Sequence, residues 1–410
     1  MYRILSGLRI VECASFIAAP SCALHLLQLG AEVIRIDPVG GGPDARRWPV
    51  SPQGRSFYWE GLNKGKRSVA IDLSRPQGRE LAAQIITAPG PQAGLFVTNF
   101  PRGGFLSHER LAAQRSDLIT VRVMGWNDGA AAVDYTVNAA LGLPTMTGPR
   151  ALADDEPVNH VLPAWDLLTG SYAAFALLAA ERHRRDTGQG QEVLVPLSDV
   201  ALASLGHMGQ IAEVLTGGDR LRMGNDLFGA FGRDFLTADG QRVMVVAITA
   251  RQWTGLVQSL QLQAAVAAVE QRLGVSFAAD EGTRFVHRDA LFPLFERAIA
   301  ERTLSALRDA FEAQGVCWSP YRTLRRALDE DPHFSTQREL FTTIDQPSGH
   351  RYPVPGAMAG FAALARQPVT RAPHLGEHTD EVLSELLALS AGQIGELHDA
   401  GIVAGPTRDA

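Results

Sequence analysis

Hydrophobic positions in the first two hundred residues fall in short unbroken runs, with helix-spaced segments between them. Leu8-Arg9-Ile10-Val11-Glu12-Cys13 reads as a buried strand. The turn Ala18-Ala19-Pro20 follows, then a helix over residues 21–29 that Gly30 stops. Residues 31–37 form the next strand, closed by Pro38 and three glycines. Strand, helix and strand in about thirty residues make a βαβ unit, which requires a parallel sheet. Strands at 68–72, 94–98 and 118–123 continue the alternation, and Pro76 opens a helix. This pattern predicts an α/β chain whose large domain is Rossmann-like and doubly wound.

The period then changes. A long apolar helix is expected over 167–184, followed by a turn at 187–191, a strand at 192–197 and a helix over 198–215. Residues 225–330 read as a smaller α+β domain, with a hairpin on Asp239-Gly240, a strand at 242–248 and then helices. The expected division is a large domain at 1–215, a small domain at 225–330, and a segment at 331–410 that returns to the large domain. That segment shows polar turns and one final helix at 379–389.

At 410 residues the chain exceeds the usual size of a single core, so two domains are the default. Its net charge of -6 argues against nucleic-acid binding, and no apolar run is long enough to span a membrane. The first strand starts so early that no signal peptide is expected. Cys13, Cys22 and Cys317 are too few and scattered for a disulfide framework or a zinc site. A cytoplasmic protein is expected.

The chemistry concentrates at Asn159-His160-Val161-Leu162-Pro163-Ala164-Trp165-Asp166, just ahead of the long helix. Asp166 stands where a helix N-cap belongs, and the same place suits a nucleophile kept ionised by the positive end of the helix. A dinucleotide fingerprint is absent after the first strand, as are a Walker loop, a Gly-x-Ser-x-Gly elbow and a His-Glu-x-x-His helix. Asn63-Lys64-Gly65-Lys66-Arg67-Ser68 is a basic knot, suited to phosphates or to a salt bridge across an interface, with a solvated loop as the other reading. Arg35, Arg46, Arg47, Arg75 and Arg102 lie on nearby loops and together suit a ligand with several phosphate charges.

In order along the chain, these pieces resemble the class III CoA-transferase family, which also contains the α-methylacyl-CoA racemases. The resemblance is carried by residues 5–12, 28–38, 62–68, 98–103, 187–191 and 372–381. It implies that Asp166 is catalytic and that coenzyme A meets Phe16, Ala18, Arg35, Ile71, Asn99 and Phe100. It also implies an interlocked homodimer. The racemase branch would need a His before Asp134 and a Glu after the small-domain strand, where this chain has Val133 and Thr249. Other departures are Ala19 within Ala18-Ala19-Pro20, Asn138 in place of a usual Gln, and the short stretch Gly229-Ala230-Phe231-Gly232 in place of a long glycine lid.

Residues 61–67, 133–138, 158–166 and 228–234 resemble more particularly a branch that moves coenzyme A between the C1 and C4 carboxyl groups of one methyl-branched unsaturated dicarboxylic acid. The expected substrate is thus an acyl-CoA thioester of a small dicarboxylic acid, with no metal and no cofactor beyond coenzyme A itself. Gly229, Ala230, Phe231 and Gly232 are expected to present oxyanion donors. Tyr135, Asn159, His160 and Arg233 are candidates to hold the second carboxylate, with structural hydrogen bonding or an interface ion pair as the other readings of His160 and Arg233. Two rival functions stay open: transfer to a separate carboxylic acid acceptor, and a non-catalytic CoA-binding protein.

Overall fold

The apolar runs form six parallel strands: Arg9–Cys13 (β1), Glu32–Asp37 (β2), Arg67–Ile71 (β3), Leu95–Thr98 (β4), Ile119–Met124 (β5) and Gln191–Pro196 (β6). They are seen in a computed structural model that describes residues 1–153 and 155–406. The spatial order is β3-β2-β1-β4-β5-β6, and Val403–Ala404 pairs antiparallel with β3 at the outer edge. Strands buried on both faces read as near-continuous apolar runs, and β1 to β5 are buried almost throughout, with Glu12, Arg35, Asp37 and Arg122 as buried charges among the apolar residues.

Two compact units result. The first comprises residues 1–141, 161–216 and 336–410, and the second residues 142–160 and 217–335. The excursion at 142–160 was expected to stay with the large domain. It joins the second unit instead, where Gly224 N donates to Gly148 O and Arg150 pairs with Asp226.

In the first unit one core cluster joins strands β1 to β4 to Val382, Leu383, Ile394, Leu397, Ile402 and Val403. The C-terminal segment holds more than the expected single helix. It has a hairpin, Phe341–Asp345 with Arg351–Pro355, two helices, Thr379–Leu387 and Ala391–Asp399, and the edge strand. The helix expected over 198–215 is broken into Leu197–His207 and Gln210–Gly217, because Gly209 between them takes φ 78°.

The second unit has a three-stranded antiparallel sheet, Phe231–Leu236, Arg242–Ala247 and Cys317–Pro320. Its hairpin turns at Asp239-Gly240, as expected. The core is aromatic, with the Phe231 and Phe295 ring centroids 4.6 Å apart and Trp253 5.3 Å from Phe231. Among the described residues no helix is long and apolar enough to cross a membrane.

Candidate active site

In an open parallel sheet, ligands bind beyond the carboxyl ends of the strands, where the strand order reverses. Here that place lies between β1 and β4. The chain leaving β1 runs through Ser15 and Phe16, and the chain leaving β4 runs through Asn99 and Phe100. Asn99 ties the two together: its Oδ1 accepts from Ser15 N at 3.1 Å and its Nδ2 donates to Ser15 O at 2.8 Å. Phe16 sits in the left-handed region at φ 70°, a costly conformation for a residue with a side chain. Its N–H donates to both oxygens of Asp44, at 2.8 and 3.0 Å, which holds it there.

Helix Ala164–Thr187 delivers Asp166 to the same end of the sheet. Its first turns lie against the start of helix Ala18–Gln28, which begins just after Phe16. The approach is close enough that a Cβ on Gly170 would stand 1.9 Å from Ser21 Oγ and 2.7 Å from Ala18 O. Only glycine permits that contact.

Asp166 is not the helix cap. It is the third residue of the first turn, and the cap comes from elsewhere. Asp134 Oδ2 accepts from Trp165 N at 2.7 Å and from Asp166 N at 3.1 Å. Asn138, on the helix that Asp134 opens, accepts from Trp165 Nε1 at 3.1 Å and fixes the buried indole beneath Asp166. The expectation of a carboxylate kept ionised by its helix also changes. Burial, and next the Asp134 carboxylate, push Asp166 up to about 7, against an opposing pull from Arg47. Desolvation and like charge outweigh the helix end.

The expected ligand residues are placed differently from one another. Phe16, Asn99 and Phe100 line the reversal point, and buried Ala18 starts the adjoining helix. Arg75 and Arg102 are half exposed on loops at the same end of the sheet. Arg75 donates to Ala400 O and Arg102 pairs with Glu192. Arg35 is a correction. It is 1% exposed and held by Glu12, Asp37 and Asp44, so its guanidinium has no face for a phosphate. The strand register causes this, since Glu12 and Arg35 are direct neighbours on β1 and β2. Its role is indirect: it fixes Asp44, which fixes Phe16. The Ile71 side chain is likewise shut in the core, beside Val403. The basic knot turns inward too, with Lys66 Nζ 2.6 Å from Glu12 and Arg67 paired with Glu32, Glu381 and Glu385.

Tyr135 is part-exposed beside Asp134 and donates to Val161 O at 3.2 Å. Asn159, His160 and Gly229 to Arg233 belong to the second unit. There the expected oxyanion loop is partly sheet: Phe231 and Gly232 begin a strand, and the Phe231 ring fills the aromatic core. Gly229 and buried Ala230 precede that strand. Arg233 lies 3.6 Å from Asp226, a carboxylate it shares with Arg150 and Arg288.

Sequence reasoning did not foresee Asp134, Asp44 or Tyr58 at this site, and it read Arg47 only as a phosphate contact. Asp134 opens a short helix of its own, Asp134–Ala140, which sequence reasoning did not predict. Tyr58 and Arg47 are distant from Asp166 in sequence, and only the fold brings them near it.

The chain matches the model of CoA-transferase family III over residues 5–379. It is 53% identical over 412 residues to the 2-methylfumaryl-CoA isomerase of Chloroflexus aurantiacus, covering 100% of both chains. It is 28% identical to the succinyl-CoA–D-citramalate CoA-transferase of the same organism, covering 98% of each. Among solved structures it resembles a CaiB/BaiF family protein from Brucella suis, with a TM-score of 0.75 and 26% identity, covering 94% of this chain and 100% of that one.

Proposed function

The chain belongs to CoA-transferase family III, and from that premise we propose that it moves coenzyme A between the two carboxyl groups of 2-methylfumarate, converting 2-methylfumaryl-CoA to 3-methylfumaryl-CoA. The full-length 53% identity to a 2-methylfumaryl-CoA isomerase carries this reading. The position of Asp166 at the reversal point of the sheet supports it.

The proposed steps conserve every atom. An Asp166 oxygen attacks the C1 thioester carbonyl, and the C–S bond breaks to give a mixed anhydride and CoA thiolate. The thiolate attacks the aspartyl carbonyl, giving an aspartyl-CoA thioester and the free dicarboxylate. The C4 carboxylate then attacks that thioester and releases thiolate. The thiolate attacks the C4 carbonyl of the new anhydride and restores Asp166. No proton is gained or lost, and the steps use no metal or cofactor beyond coenzyme A. Holding the freed diacid beside the thioester makes its return effectively unimolecular, worth roughly 7–11 kcal/mol of barrier.

The working form is taken to be a homodimer in the cytoplasm. Leu168, Tyr172, Phe175, Leu202, Met208 and Leu215 put exposed apolar surface on consecutive helices of the first unit, with Phe175 64% exposed. A patch of that kind suits a second copy of the chain. The buried thiols of Cys13 and Cys22 suit a reducing compartment.

Incubation with 2-methylfumaryl-CoA and no acceptor acid tests the reaction. Chromatography should show the 3-methylfumaryl regioisomer, and hydroxylamine should trap an adduct at Asp166. An unchanged thioester that reacts only when a second acid is supplied would establish intermolecular transfer instead.

A further inference from the structure

We propose that Arg47 is the residue that receives the free carboxylate of the substrate, the one not joined to coenzyme A. This rests on the dicarboxylic substrate proposed above.

Arg47 is built into place. Its N–H donates to Asp44 O at 3.2 Å, and Ser56 Oγ donates to its carbonyl at 2.5 Å. Ser56 also caps the helix that carries Tyr58, accepting from Trp59 N at 3.0 Å. The guanidinium carbon lies 5.3 Å from the Phe16 ring centroid and 5.2 Å from that of Tyr58. With the rings beside it and the Tyr58 hydroxyl near one N–H, the guanidinium still has N–H donors enough for a planar oxyanion. Among the described residues no carboxylate lies within ion-pairing distance of Arg47, unlike Arg35, Arg75 and Arg102. It is an exposed cation steadied by two rings and by the nearby Tyr58 hydroxyl, with no carboxylate in ion-pair contact among the described residues.

Charge balance points the same way. Asp134 and Asp166 already place two carboxylates together, and a dicarboxylic thioester brings a third. Arg47 is the cation whose charge reaches Asp166. When Asp166 becomes a thioester its negative charge disappears, and Arg47 is left facing the released diacid. A trans-butenedioate is nearly two-fold symmetric. Turning end for end puts the C1 carboxylate on Arg47 and offers the C4 carboxylate to the thioester. One cation thus serves both halves of the reaction.

The test uses the Asp166→Asn protein, which binds without turnover, with and without Arg47→Gln. Affinities are measured for 2-methylfumaryl-CoA, for a four-carbon enoyl-CoA lacking the distal carboxylate, and for free coenzyme A. With Arg47 present, the dicarboxylic thioester should bind about tenfold to a hundredfold more tightly than the monocarboxylic one. Arg47→Gln should erase that difference and leave affinity for free coenzyme A unchanged, while Arg47→Lys should keep part of it. Uniform weakening toward all three ligands would make Arg47 a phosphate contact, and undiminished discrimination would place the carboxylate elsewhere. Either result overturns the assignment. Retained binding of free coenzyme A shows that the variant is folded. Isomerisation by the unmodified chain is scored separately, so failure of the proposed reaction is told apart from failure of Arg47.

Discussion

Replacing Asp166 by Asn should abolish turnover and at the same time make the protein more stable at alkaline pH. The carboxyl titrates near 3.8 in an unfolded chain and at about 7 in the folded site, because burial and Asp134 disfavour its charge. Between those two values the folded state holds a proton that the unfolded state has released. Stability of the unmodified chain therefore falls as pH rises through that window, and is flat above it. At about 1.4 kcal/mol per pH unit the ceiling is about 4 kcal/mol. Water at the partly open site reduces this to about 1–3 kcal/mol. The Asn side chain fits the same space and carries no such cost. Thermal unfolding of both proteins from pH 4 to pH 8.5 is the assay. The Asn variant should melt a few degrees higher at pH 8, and the gap should shrink to nothing as pH falls toward 4. A variant that melts at or below the parent at pH 8, or a gap that ignores pH, would refute the claim that Asp166 is held in a costly ionised state.

Four further outcomes follow from the same geometry. The rate kcat/KM should rise with pH through a midpoint near 7 as Asp166 ionises; Asp134→Asn keeps an acceptor for the helix end but removes the like charge, so its profile should shift to lower pH. Gly170→Ala should cost about 1–3 kcal/mol by forcing apart the helices that meet at Ser21 and Ala18, read as a lower melting temperature with a lower kcat. Arg35→Met should cost about 3–5 kcal/mol in denaturant titrations, because it leaves Glu12, Asp37 and Asp44 buried together with one cation fewer.

Much of this architecture was legible in the chain because its causes are local. The alternation of apolar runs and helical spacing gave the parallel sheet, and Asp239-Gly240 gave the hairpin. Asp166 stands out in the sequence as a candidate because the long helix behind it is strongly written and the family resemblance converges there. Arg35 was misjudged because a basic residue at a strand end looks available until register sets it beside Glu12. The ionisation of Asp166 was misjudged for a related reason: a helix start is visible in sequence, whereas Asp134, thirty-two residues earlier, becomes its neighbour only after folding. Three short C-terminal strands escaped notice. Two are the arms of a hairpin, one carrying two Thr and the other two Pro, and the third is two residues long, too brief to show any period.

That two-residue strand has a consequence for how the protein is made. The outer edge of β3 is covered by Val403–Ala404, and the preceding segment is stitched to β3 through Ser68, which bonds to Gly376 and His378. A ribosome delivers these residues some three hundred positions after β3. From the time β6 emerges until then, the nascent chain carries an open hydrogen-bonding edge on an otherwise complete sheet, the kind of surface on which neighbouring polypeptides stick. Newly synthesised copies should therefore depend on chaperone holding until residues 403 and 404 have been made, and truncation before residue 403 should send the product into inclusion bodies.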